Sequence, residues 1–130
     1  MSLVDRKVLI VTQFDFSAAH TLPNHSGKCR RPHGHNYLLE IGVAAPPRPA
    51  DGTSAEGMVM DFADLRRAVQ EQVLTMVDHR DLNDALPPEY QPATAEHLAL
   101  WVWDTLSAPL RGLTLVRVWE TPKSYAEVRA

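Results

Sequence analysis

The stretch Phe14–Ile41, "FDFSAAHTLPNHSGKCRRPHGHNYLLEI", is strand-like at both ends. It carries His20, His25, His33 and His35 of the chain's 6 histidines, together with Cys29, its 1 cysteine. The flanks alternate with a period of two, the pattern of strands with one apolar face. Upstream, a strand reads over 7–17, and Val8, Ile10, Thr12, Phe14, Phe16, Ala18 and His20 fall on one side. Downstream, "HGHNYLLEIGVAA" (33–45) is a second strand with His33, His35, Tyr37, Leu39, Ile41 and Val43 on one side. Paired as a hairpin around 21–32, the two strands bring His20 to the same end as His33 and His35.

That arrangement has a chemical meaning. His33 and His35 are two residues apart on a strand, so their side chains project the same way and can share one ion. Gly34 between them adds no side chain and permits close packing on the opposite face. Three neutral imidazoles make an open zinc site whose fourth position takes water or substrate, whereas a structural site is normally closed by four protein ligands. A non-haem iron triad would need two histidines and a carboxylate. Asp15 lies on the wrong face of the first strand for that role, so zinc is favoured. His25, inside "PNHSG", reads as turn material. Cys29 sits among Lys28, Arg30 and Arg31, neighbours that suit a reactive thiol. Two roles stay open for it: a fourth ligand that closes the site, or a base or nucleophile acting on a bound substrate.

Beyond the hairpin, "PPRPADGTSAEG" (46–57) is a loop. The segment 60–79, "MDFADLRRAVQEQVLTMVDH", carries Phe62, Leu65, Val69, Val73, Met76 and Val77 as one helical stripe. Asp61 and Asp64 stand at its start, where a helix favours negative charge. "LNDALPPEYQPA" (82–93) is a loop, and Thr94 is the expected N-cap of a second helix over 95–107, with Leu98, Trp101, Val102 and Leu106 on its apolar face. "LTLVRVWET" (113–121) and "SYAEVR" (124–129) are two further strands. The order ββααββ predicts an α+β domain, a four-stranded antiparallel sheet with two helices on one face. Such a sheet leaves edges and apolar surface for which oligomerisation is a solution.

The bulk properties exclude several classes. With 130 residues the chain fits one domain spanning 1–130, able to bury roughly two thirds of its unfolded surface. A net charge of −3 offers no basic field for nucleic acid. The longest aliphatic run, Val8–Val11, is far too short to span a bilayer. "MSLVDRKVLIV" has no cleavage-site pattern, and a lone cysteine forms no internal disulfide, so the expected location is the cytoplasm.

In order along nearly the whole chain, "FSAAH", "CRRPHGH", "DHRDLND", "ATAEH" and "WETPKSYAEV" resemble the 6-pyruvoyltetrahydropterin synthase family, and within it the bacterial 6-carboxytetrahydropterin synthases of 7-deazapurine (queuosine) biosynthesis. The resemblance implies a tunnelling fold whose subunits assemble into barrels, usually a hexamer. It implies zinc on His20, His33 and His35, a catalytic Cys29, an acid–base pair at Asp78 and His79, and Glu120 as anchor of a pterin ring. The implied substrate is 7,8-dihydroneopterin triphosphate, with Lys28, Arg30, Arg31, Arg80 and Lys123 as candidates to hold the triphosphate. A glutamate suits the anchoring role because a pterin edge presents adjacent N–H donors that one carboxylate accepts together. Side chains of adjacent residues rarely bond each other, so Asp78 is expected to partner another histidine or the cysteine region rather than His79. His97 replaces the asparagine usual in the family and Ala93 a proline, departures that bear on the start of the second helix. The rival readings are the pyruvoyl-type lyase, a lyase giving hydroxymethyl-dihydropterin, and a non-catalytic module in which Cys29 closes the zinc site. The second of these would have a glutamate near the cysteine, and 26–32 contains none.

Overall fold

In the computed structural model, which describes residues 5–130, β1 (Val8–His20) and β2 (His33–Ala45) form the expected antiparallel hairpin. The first four residues, which the single-domain reading and the signal-peptide reading also include, lie outside the described residues. The register runs from Val8 opposite Ala45 to His20 opposite His33, with Ala18 opposite His35. β1 is three residues longer at its end than the expected 7–17, so His20 is the last paired residue of the strand.

The sheet departs from expectation by one strand. β3 (Arg80–Asp81) adds to the free edge of β1, parallel to it at Ala18 and Ala19. β4 (Leu113–Thr121) pairs antiparallel with β2, and β5 (Ser124–Arg129) with β4. The result is a mixed five-stranded sheet in the order β3-β1-β2-β4-β5, not a four-stranded antiparallel one. A strand of two residues has no alternation to read, which is why it escapes a periodicity argument.

Among the described residues three helices accompany the sheet. α1 (Phe62–Val69) is capped by the Asp61 carboxylate, which accepts from Ala63 N–H at 2.8 Å. It continues through a π-helical turn, Gln70–Leu74, into Thr75–Val77. The turn follows from the apolar spacing. Leu65, Val69, Val73 and Val77 are each fully buried and repeat every four residues, longer than the 3.6 of an α-helix. A wider turn inside the helix absorbs that mismatch and keeps all four on the core face. Phe62 and Met76, assigned to the same stripe from sequence, are left about half exposed. α2 (Leu82–Ala85) lies inside the segment expected to be loop. α3 (Ala95–Leu106) starts where expected, with Thr94 Oγ1 accepting from His97 N–H at 3.1 Å, so His97 and Ala93 do not disturb its start.

The core lies between the sheet and α1 and α3. Phe16, Tyr37, Leu39 and Ile41 from the hairpin meet Val116 and Val118 of β4, with Leu98 and Val102 of α3 above them. Each large apolar side chain buried in this way contributes about 1.5–3 kcal/mol. Among the described residues no helix is long and apolar enough to cross a membrane.

Gly112, at the entry to β4, has φ of 81°, and a Cβ there would stand 2.7 Å from the Ala44 carbonyl oxygen. Gly112→Ala is therefore expected to destabilise the protein by about 1–3 kcal/mol, read as a lower urea midpoint. An unchanged midpoint would contradict the strained geometry assigned to this turn.

Candidate metal centre and active site

The sheet end where β1 stops and β2 begins carries the three histidines on the core-facing side. His20 is opposite His33 in the ladder, and His35 is one step further along the same face. One nitrogen from each ring lies within 4.8 Å of the others. His20 is 1% exposed, and the rings of His33 and His35 stand edge-on to it at centroid distances of 4.4 and 5.1 Å.

Hydrogen bonding fixes which nitrogens converge. His20 Nδ1 is 2.7 Å from the Ala93 carbonyl oxygen, and His33 Nδ1 is 2.8 Å from that of Arg31. A carbonyl can only accept, so each Nδ1 carries the proton and each Nε2 presents a bare lone pair. The Nε2 atoms of His20, His33 and His35 are all buried, and none has a hydrogen-bond partner among the described residues. Buried polar atoms are rarely left unpaired, and the facing lone pairs of His20 and His33 repel one another. A bound divalent cation removes both penalties, and imidazoles oriented by backbone carbonyls are the usual ligands of such an ion. The residues present therefore fit a metal ion.

Cys29 lies in the 21–32 connection, on a 3₁₀ turn over Lys28–Arg30, and is half-buried. Its carbonyl accepts from Leu22 N–H at 2.8 Å, which draws the loop together near the hairpin end. Among the described residues the converging donor set is the three imidazoles, without the Cys29 sulfur. That favours an open centre over one closed by the thiolate. Lys28, Arg30 and Arg31 are exposed on the same turn, and Arg80 and Lys123 are exposed as well. His25 is turn material as read: Gly27 N–H donates to its Nδ1 at 2.9 Å.

Glu120 comes from β4, with one carboxylate oxygen 3.7 Å from His35 Nε2. It also borders a groove of ≈ 540 Å³ between α3 and β5, lined by Glu96, Leu100 and Tyr125 among others. One carboxylate thus faces both the imidazole cluster and a cleft of ligand size. Tyr37, stacked on Phe16 with ring centroids 4.9 Å apart, lies beneath His35 with its hydroxyl buried and unpartnered. Burial, reinforced by the Glu120 charge, pushes the phenol upward, so it stays protonated and a donor. Sequence reasoning did not single out Tyr37, or the Ala93 and Arg31 carbonyls, because a carbonyl has no side-chain signature.

Asp78 and His79 do not join the imidazoles in this chain. They follow α1 at the outer edge of β1, where Ser17 N–H donates to Asp78 Oδ1 at 3.1 Å and His79 N–H donates to the Ser17 carbonyl at 2.6 Å. Contrary to the sequence expectation, the two adjacent side chains do meet, Asp78 Oδ1 and His79 Nδ1 being 2.9 Å apart. The reason is His79's φ of 59°, which turns its side chain back over the carboxylate instead of alternating away from it. By strand parity Ser17 and Asn36, which share a groove with this pair, face away from the imidazoles. A neighbouring groove, lined by Gly34, His35, Asn36, His79 and Arg80 among others, reaches the rim of the histidine cluster. Gly34 has no packed neighbour: a Cβ there would meet only the Ala18 carbonyl oxygen, at 3.7 Å.

Burial lowers the proton affinity of the His35 imidazole, with His20 and His33 acting the same way, against the opposing pull of Glu120. The sign of the pH dependence follows. Between the folded value and the ordinary 6.5 the unfolded chain binds more protons, so stability rises with pH across that window and is lost as pH falls through it. Metal-stripped protein should therefore show a lower urea midpoint as pH drops below about 6.5. His35→Asn should flatten that dependence, and an unchanged slope would contradict the assignment.

Comparison with known proteins gives a consistent result. The family model described as 6-pyruvoyl tetrahydropterin synthase matches residues 9–130. A relative from Synechocystis sp., named 6-carboxy-5,6,7,8-tetrahydropterin synthase, is 42% identical over 119 residues, covering 91% of this chain and 90% of its own. The Homo sapiens protein named 6-pyruvoyl tetrahydrobiopterin synthase is 33% identical over 124 residues, covering 84% of this chain and 82% of its own. The solved structure of Caenorhabditis elegans 6-pyruvoyl tetrahydropterin synthase superposes with a TM-score of 0.83 at 27% identity, covering 97% of each chain.

Proposed function

The chain belongs to the 6-pyruvoyl tetrahydropterin synthase family, and from that premise we propose that it is a zinc-dependent 6-carboxy-5,6,7,8-tetrahydropterin synthase of 7-deazapurine (queuosine) biosynthesis. In this reading 7,8-dihydroneopterin triphosphate and water become the carboxylated tetrahydropterin, acetaldehyde and triphosphate. The observation that carries it is the set of three buried, unpartnered Nε2 atoms beside Glu120. The choice of product is supported by the 42% identity to the Synechocystis relative of that name.

His20, His33 and His35 would hold the ion through Nε2. Zinc bound there would supply Lewis-acid polarisation of the substrate's side-chain hydroxyls. Glu120 accepts the two adjacent N–H groups of the pterin edge and so fixes the ring against the sheet end. Cys29 removes the proton from the side-chain carbon, and His79, oriented by Asp78, returns one. Exposed Lys28, Arg30, Arg31, Arg80 and Lys123 are the cations available to the triphosphate. Because Asp78 and His79 stand at the sheet edge, this reading requires a homo-oligomer, expected to be a hexamer. In it the pair of one copy serves the imidazoles and cysteine of another. The lone cysteine and absent disulfides suit a cytoplasmic enzyme.

The test is incubation of zinc-loaded protein with 7,8-dihydroneopterin triphosphate, with products separated and identified. Acetaldehyde with the carboxylated tetrahydropterin supports the proposal. A pyruvoyl product without acetaldehyde would reassign the chain to the activity named for the human and nematode relatives. No turnover would favour a non-catalytic metal-stabilised module.

A further inference from the structure

We infer that Asn83 and Gln91 are positioning residues for His20, acting through a closed circuit of hydrogen bonds that runs from 20–21 to 82–86, on to 91–93, and back to the His20 ring. The inference rests on the metal reading of the three histidines and deepens it.

His20 is the last residue of β1 to be paired, so the sheet ladder does not hold the chain beyond it. The next residue, Thr21, is held instead by one side chain. Thr21 N–H donates to Asn83 Oδ1 at 2.7 Å, and Asn83 Nδ2 donates to the Thr21 carbonyl at 3.0 Å. The carboxamide thus replaces a strand partner at the point where the strand has ended. Asn83 is itself fixed from two sides. Its N–H donates to Asp81 Oδ1 at 2.9 Å, the N-cap bond of α2. Its carbonyl, with those of Leu82 and Leu86, accepts from Gln91 Nε2 at 3.0–3.1 Å. A helix as short as α2 makes one intrahelical bond, Leu86 N–H to the Leu82 carbonyl, and the two N–H groups of the Gln91 amide are shared among the carbonyls of Leu82, Asn83 and Leu86.

Gln91 also stands two residues before Ala93, whose carbonyl oxygen orients the His20 ring at 2.7 Å. The same side chain therefore ties α2, which carries the Thr21 clamp, to the segment carrying the ring's acceptor. Backbone and ring of His20 are set from one connected unit. His20 is 1% exposed and its Nε2 has no protein partner, so the placement of that ring is felt directly by any ion it ligates. Groups that orient a metal ligand without touching the metal typically change affinity about 10- to 100-fold when removed.

The experiment strips the full-length protein of metal and measures zinc affinity by competition with a chromophoric chelator. Asn83→Ala and Gln91→Leu are expected to weaken zinc binding about 10- to 100-fold. Leu106→Ala, a core truncation at the far end of α3, is expected to lower the thermal midpoint without weakening zinc binding in the folded protein. Asn83→Asp, whose carboxylate can still accept from Thr21 N–H, is expected to lose less zinc affinity than Asn83→Ala. Wild-type affinity in folded Asn83→Ala protein would overturn the inference. So would an equal loss in folded Asn83→Asp and Asn83→Ala. Should Gln91→Leu not fold, Asn83→Ala alone decides the matter. Wild-type protein that takes up no ion at all would overturn the metal reading itself, and the inference with it.

Discussion

Cys29→Ala is expected to reduce turnover of 7,8-dihydroneopterin triphosphate by about 10²- to 10⁴-fold, the usual effect of removing a proton-abstracting side chain. Zinc content and thermal midpoint should remain near wild type. The thiol is half-buried, it is not in the converging donor set, and the loop bond that positions the turn uses the Cys29 carbonyl, which alanine keeps. The loss should fall on kcat, because the proposed mechanism holds substrate elsewhere, at Glu120 and the exposed cations. Cys29→Ala protein with full turnover and intact zinc would remove the cysteine from the chemistry. Protein that loses its zinc instead would make Cys29 a ligand and the site a closed one.

His33→Ala is expected to empty the metal centre and to reduce turnover by on the order of 10³ or more, since Lewis-acid polarisation is worth several kcal/mol of transition-state stabilisation. His33 lies at the start of β2 with its Nδ1 held by the Arg31 carbonyl, so its Nε2 has one direction to point. Alanine there leaves two imidazoles, too few to hold zinc against water and chelators. His25→Ala is the control: His25 accepts only from the local Gly27 N–H, and its loss should change neither zinc content nor turnover. Metal analysis and steady-state rates on the two variants check both statements. A His33→Ala protein with stoichiometric zinc would contradict the ligand assignment.

How much of this was legible in the sequence depends on the kind of signal. The hairpin and the histidine cluster were legible because strand parity is strict. A period of two puts His20 on the side of Phe16 and Ala18, and His33 and His35 on the side of Tyr37 and Leu39. Pairing around the 21–32 connection then brings the three together. The span of β2 came from its alternation, and those of β4 and β5 from strand-like runs bounded by Gly112 and Pro122.

Other features carry no periodic signal. β3 and α2 are two and four residues long and are held by the side chains of Asp81, Asn83 and Gln91 rather than by a repeating apolar face. The π-helical turn was hidden because the stripe was read with α-helical spacing, which admitted Phe62 and Met76 where the core takes Leu65, Val69, Val73 and Val77, with Leu74 beside them. The direct Asp78–His79 contact depends on one left-handed residue, and a histidine does not announce a positive φ as a glycine would. Glu120 by itself reads as a solvated strand carboxylate. Its position beside His35 emerges only once β4 is placed next to β2.

The proposed chemistry depends on an open, three-histidine zinc centre. Zinc K-edge X-ray absorption of the purified full-length protein tests that most directly. The expected spectrum has three imidazole nitrogens and one further light-atom ligand at about 2.0–2.1 Å, with no sulfur shell. A sulfur contribution at about 2.3 Å would put Cys29 on the metal, close the site, and contradict the catalytic reading.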